Sequence, residues 1–131
     1  MMRTLILALA LVVACGSDTT GPQLGDNVDV PYGTTVTMPG DTTTAKFTDV
    51  TADSRCPTGV QCVWAGEATV LFTVGGSELV TLTLGADPAK ARAIVRGYQV
   101  TLVALAPYPV AGSAPVKANY VATIRFTSAK D

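Results

Sequence analysis

Few side chains in this protein are suited to chemistry, and their grouping narrows what chemistry is open to it. Cys56 and Cys62 stand in the run 53–67, D-S-R-C-P-T-G-V-Q-C-V-W-A-G-E, beside Trp64, the only tryptophan of the 131 residues. The chain has no histidine. A Ser-His or Cys-His dyad is therefore impossible, and the commonest acid–base group at neutral pH is missing. Five residues separate the two cysteines, unlike the Cys-X-X-Cys spacing that lowers a thiol pKa, so redox work is not expected. A zinc or copper ion would be short of ligands, because neither imidazole nor further cysteines accompany the pair. Asp49, Asp53 and Glu67 are the candidate carboxylates. Nothing in their spacing marks two of them as a catalytic pair; they read as surface carboxylates, with Asp53 near enough in sequence to pair with Arg55. Asp26-Asn27-Asp29 and Asp49 with Asp53 lack the loop pattern of a calcium site. No phosphate-cradling glycine loop or dinucleotide fingerprint precedes a helix. The expectation is a protein that is not an enzyme and carries neither cofactor nor metal.

The first residues say where such a chain works. M-M-R-T-L-I-L-A-L-A-L-V-V-A-C puts Arg3 ahead of an apolar run, residues 5–13, that is too short to span a bilayer. Val12-Val13-Ala14-Cys15 resembles the lipobox of bacterial lipoproteins, in which a peptidase cuts before a cysteine that carries diacylglycerol. The resemblance implies a signal peptide over residues 1–14, lipidation of Cys15 and a membrane anchor of acyl chains. Each buried methylene contributes roughly 0.8 kcal/mol, so several chains hold firmly where one binds marginally. An ordinary secretory signal with an incidental cysteine is the alternative. Gly16 is not the aspartate that retains lipoproteins at an inner membrane, which points to the outer membrane where the organism has one. With Cys15 lipidated, Cys56 and Cys62 remain as an even pair in an exported chain, and a disulfide is expected. Ten acidic residues face nine basic ones, of which Arg3 leaves with the signal. No basic stripe exists, so nucleic acid is not an expected partner, and polybasic membrane binding has no support. A monomer is assumed.

The elements that must position these residues read as strands. Residues 15–26, rich in Gly, Ser, Thr and Pro, form a flexible tether after the lipidated cysteine. Residues 27–131 then suffice for one independently folding domain. Val28, Val30, Tyr32, Val36 and Met38 alternate with polar residues, while Pro31 and Gly33 predict an edge strand or a bulge. Ala45 and Phe47 change parity to Val50 and Ala52, so a bulge near Thr48-Asp49 is expected. Past the cysteines Trp64, Ala68, Val70, Phe72 and Val74 share one parity with Cys62. That parity predicts sulfur and indole packed together inside. Gly75-Gly76 marks a hairpin to Val80, Leu82 and Leu84. Residues 90–96 read as strand rather than helical turn, with Ala91, Ala93 and Val95 inward. Tyr98, Val100, Leu102 and Ala104 follow, and the closing run 116–127 alternates throughout. About seven short strands without helical periodicity predict an antiparallel β-sandwich or a partly open barrel.

The run D-S-R-C-P…C-V-W-A-G, with L-A-P-Y-P and N-Y-V-A-T-I-R-F later, resembles a group of small bacterial lipoproteins with no assigned activity. The likeness spans residues 53–126 and implies export, lipidation and a β-domain. It carries Asp53, Arg55, Cys56, Cys62, Trp64 and Gly66 over as motif positions, not as catalytic residues. Pro57, Gly59, Val60 and Gln61 would lie in a stiff, convex loop closed by the disulfide, which lowers the ordering cost of binding. The expected protein is a membrane-anchored, non-catalytic binding or envelope-associated module. The alternative is a protease-inhibitor-like protein presenting the Cys56–Cys62 loop. Its partners are then the membrane, through the anchor, and an envelope protein or a protease.

Overall fold

The alternating runs assemble into two four-stranded antiparallel sheets stacked as a β-sandwich, not a closed barrel. The computed structural model describes residues 21–130, so residues 1–14, which read as a signal peptide, and Cys15 lie outside the described residues. The strands are β1 (Asn27–Pro31), β2 (Thr35–Thr37), β3 (Thr44–Asp53), β4 (Ala68–Val74), β5 (Glu78–Leu84), β6 (Arg92–Val95), β7 (Tyr98–Ala106) and β8 (Val121–Ser128). One sheet has the order β1-β8-β7-β6 and the other β2-β3-β4-β5.

The inward faces supply Phe47, Phe72 and Phe126, each fully buried, with Val70, Leu82, Leu102 and Ile124 between them. Phe47 stacks on Phe72 at 5.2 Å, and Tyr32 meets Phe47 edge-on at 5.5 Å. Such aromatic pairs add about 0.5–1.5 kcal/mol to their area burial. The first alternating run is not one edge strand but two, β1 and β2, on the edges of opposite sheets. Pro31 has no N–H to continue a ladder, and Gly33, at φ 77°, turns the chain across. The bulge between Phe47 and Asp49 is present and keeps Phe47 and Val50 on one buried face. A second register shift, between Val50 and Ala52, leaves Ala52 exposed.

Gly75 and Gly76 turn β4 into β5, pairing Val74 with Glu78. Residues 90–96 combine both readings: a 3-10 turn, Pro88–Ala91, runs into β6. The Asp87 side chain opens that turn by accepting from the Ala89 N–H at 3.0 Å. Ala91 and Val95 are buried and Ala93 half-buried. The closing strand is shorter than its sequence pattern, for β8 begins only at Val121 and Lys117–Asn119 form a 3-10 turn. Its partner β7 ends at Ala106, because Pro107 has no N–H, and Val116 and Ala118 stay exposed.

The sandwich has two distinct ends. The Gly25 N–H bonds the Phe126 carbonyl, so the segment just before β1 joins at the far end of β8. Asp53, Ala68 and Leu84 align across one sheet at the opposite end, where Ala106 meets Val121 in the other. The eight residues of β8 separate these ends by roughly 25 Å.

Candidate functional site

Two long loops cap the end away from Gly25: the cysteine loop between β3 and β4, and the loop between β7 and β8. Arg55 joins them. Its Nε and Nη2 donate to the two carboxylate oxygens of Asp53, both at 2.8 Å. Nη1 donates to the Leu105 carbonyl at 2.6 Å and Nη2 to the Pro107 carbonyl at 3.1 Å. The Tyr120 hydroxyl donates to Asp53 Oδ2 at 2.7 Å, and the Tyr108 ring lies 5.0 Å from the guanidinium. Arg55 is thereby buried at 8 % exposure, with every polar atom of its head in reach of an acceptor or an aromatic face. A planar five-donor fork suits this duty, and a lysine ammonium does not.

The same network sets the local titrations. Burial alone pushes Asp53 upward, but hydrogen bonds from Arg55 and Tyr120 outweigh it and hold the carboxyl below its ordinary 3.8. Arg55 is raised, chiefly by its bond to Asp53. Tyr120 is pushed up to about 12 by burial and by donating to the Asp53 carboxylate. A tyrosine that is harder to ionise when folded stabilises fully below its unfolded pKa of 10.0, and loses that contribution as pH rises to about 12. Chemical denaturation across this alkaline window should show falling stability, and Tyr120→Phe should flatten the fall. Asp53 works the other way: its contribution is present at neutral pH and is lost as acid carries it below 3.8.

Above the clamp the cysteine loop closes on itself. The expected disulfide joins Cys56 to Cys62, with Cα atoms 5.8 Å apart. Ser54 N–H and Oγ both donate to the Glu67 carbonyl, at 2.8 and 3.0 Å, and the Glu67 N–H returns to Ser54 Oγ at 3.1 Å. The Cys56 N–H reaches the Ala65 carbonyl at 3.1 Å. Thr58 bridges to the neighbouring loop, its N–H to the Pro109 carbonyl at 3.0 Å and its carbonyl from the Ala111 N–H at 3.1 Å. Replacing both cysteines by serine is expected to cost about 2 kcal/mol, read as a lower urea midpoint, because the ring is small. The Arg55 clamp and the Ser54–Glu67 bonds should keep the base of the loop in place.

Trp64 overturns the expectation of a buried indole. It is 81 % exposed, its neighbour Val63 is 89 % exposed, and Cys62 is exposed as well. Strand parity does not reach Trp64, since β4 begins only at Ala68 and Gly66, at φ 71°, reverses the chain between them. The space beneath the loop is already filled by the Arg55 head. Pro57 is half-buried, while Gly59, Val60 and Gln61 are exposed on the convex rim. Val60, Tyr108 and Val110 are each at least half exposed at this end. Segments 56–66 and 107–116 contain no charged residue. The result is a cap whose two loop segments are uncharged and expose several large apolar side chains, among them the chain's only tryptophan.

The structure brings Asp53, Arg55, Cys56, Cys62 and Gly66 together as one supporting unit under a surface made by Val60, Val63 and Trp64. Sequence reasoning missed Tyr120 and Tyr108 as members of that unit, although Tyr120 carries the buried parity of β8. The carboxylates pair with cations rather than with one another: Asp49 with Lys117 at 2.8 Å, Glu67 with Lys90 at 3.7 Å, Asp53 with Arg55. Among the described residues no group of three or more Cys, Asp or Glu is placed to hold a metal, and no helix is long and apolar enough to cross a membrane.

Fold and loop end together define a small, disulfide-braced β-sandwich with an exposed aromatic cap. No protein-family model, no curated protein and no solved structure shows a significant match to the chain.

Proposed function

We propose that this protein is a lipid-anchored bacterial envelope lipoprotein whose β-sandwich is a non-catalytic binding module. Its contact surface is the Trp64 end. The observation that carries this reading is an indole 81 % exposed on a loop held by a disulfide, a buried guanidinium and a cross-loop bridge. An aromatic side chain in water is unfavourable, and the bracing keeps it there. The same bracing lowers the ordering cost of association, and Trp is the residue type most enriched among interface anchors. The segment before β1 enters the sandwich at the end opposite Trp64, so an acyl anchor at Cys15 would leave the Trp64 end free for contact.

Trp64→Ala is the test. Because the side chain is exposed, the melting temperature should stay within about 2 °C of the parent. Retention on an isolated cell-envelope fraction should fall by at least about tenfold. Undiminished retention would reject the contact surface. Intact-mass measurement of protein extracted from membranes checks the anchor: acyl chains on a chain that starts at Cys15 are expected.

A protease-inhibitor-like role is the second reading, favoured by the closed, exposed loop around Gly59, Val60 and Gln61. Thr58 already uses both its backbone groups inside the fold, which leaves a short segment for a protease cleft. Replacing residues 58–61 by glycine and serine, with both cysteines kept, should abolish inhibition across a protease panel if the loop is inhibitory.

A further inference from the structure

The Trp64 end holds a concavity as well as a convex cap. A shallow cleft of about 430 Å³ is lined by apolar Val63, Trp64 and Ala86 together with charged Glu67, Asp87 and Lys90. We infer that this cleft is a saccharide subsite, in which the indole of Trp64 stacks on the C–H face of a sugar ring and Glu67, Asp87 and Lys90 hydrogen-bond its hydroxyls. The inference rests on the Trp64 end being the contact surface of the protein.

The choice of ligand class follows from the charges. Glu67 and Lys90 already face each other at 3.7 Å, with Asp87 beside them. A cationic ligand would have to displace Lys90 from Glu67, and an anionic one would meet two carboxylates. A neutral polyol uses all three groups, because carboxylates accept hydroxyl protons and an ammonium donates to hydroxyl oxygens. An apolar occupant, whether bilayer or protein, would strip water from three charged groups and return nothing to them. A sugar ring also presents a flat, weakly positive C–H face, which complements the negative face of an indole.

Both walls are held. A Cβ added at Gly85 would stand 2.9 Å from the Cβ of Glu67 and 3.6 Å from the Gly66 carbonyl, so the chain at Gly85 lies close against Glu67. Asp87 caps the 3-10 turn that carries Lys90. The disulfide at Cys62 holds the chain before Trp64, and the Cys56 N–H bond to the Ala65 carbonyl and the Ser54 bonds to Glu67 hold it after. The backbone that carries the indole and Glu67 is therefore held before a ligand arrives, which favours binding at a shallow site.

Titrating the full chain with soluble tetrasaccharides tests this: β-1,4-linked N-acetylglucosamine, β-1,4-linked glucose and α-1,4-linked glucose. Trp64 is the only tryptophan, so its emission reports on this cleft alone. At least one tetrasaccharide should give a saturable change at or below millimolar concentration. By calorimetry Trp64→Ala should lose affinity for it at least about tenfold. Glu67→Gln and Lys90→Ala should each lose affinity about threefold to tenfold. Emission unmoved by every tetrasaccharide, or moved equally in Glu67→Gln, Lys90→Ala and parent, overturns the subsite. A response to phosphatidylcholine vesicles alone overturns it in favour of a bilayer. Envelope retention that depends on Trp64 but is not competed by any tetrasaccharide sinks the saccharide and leaves the contact surface standing. Retention indifferent to Trp64 removes both.

Discussion

Gly66→Ala is expected to destabilise the domain by about 3–5 kcal/mol, combining left-handed backbone strain with overpacking. Gly66 sits at φ 71°, where an L side chain is strained, and an added Cβ would overlap the Ser54 carbonyl. That carbonyl belongs to backbone, so it has no rotamer by which to withdraw. Moving it would shift the start of Arg55 and the Ser54–Glu67 bonds that zip the loop base shut. The loss should appear as a lower denaturation midpoint with an unchanged slope in urea, since the fold itself is not altered. Gly76→Ala is the control: φ is also positive there, at 82°, but nothing lies within 4 Å of the added Cβ. It should cost only the backbone term, about 1 kcal/mol. Equal effects at both positions would show that close approach to Ser54 is not what makes Gly66 indispensable.

Arg55→Met should cost about 3–5 kcal/mol, the cost of leaving a buried charge without its partner. The Asp53 side chain is only 10 % exposed, and without the guanidinium its carboxylate keeps the Tyr120 hydroxyl and a long bond, 3.4 Å, from the backbone N–H of residue 55. The Leu105 and Pro107 carbonyls lose their donor in the same step. Arg55→Lys should recover little, for a compact ammonium cannot serve a bidentate carboxylate and two carbonyls at once. Asp53→Asn added to Arg55→Met should be less harmful than the sum of the single changes, because it removes the stranded charge. A coupling energy near zero would mean that the two side chains do not act as a unit. Far-ultraviolet dichroism and urea titration of the four proteins give the cycle directly.

Much of the sandwich is legible in residue order. The alternation of Val70, Phe72 and Val74 against Thr69 and Thr73 records a half-buried sheet, and the parity change from Phe47 to Val50 records a bulge. The disulfide is legible from an even pair of cysteines in a chain that opens like an exported one. The splitting of the first alternating run into β1 and β2 is not legible, since Pro31 and Gly33 announce a break without saying which sheet each half joins. Nor is the late start of β8, which depends on where its partner β7 stops.

The loop end shows why. Composition, periodicity and cysteine count by themselves determined a two-faced β-domain and a cysteine ring next to a tryptophan. Only the tertiary structure decided which large side chain of that loop goes under it and which goes into water. The deciding groups are the Leu105 and Pro107 carbonyls, 50 and 52 residues from Arg55 in the chain. Buried carbonyls need donors, and a guanidinium offers five where an indole offers one. Arginine therefore fills the end of the sandwich, and the tryptophan is left facing outward, where it can meet a ligand.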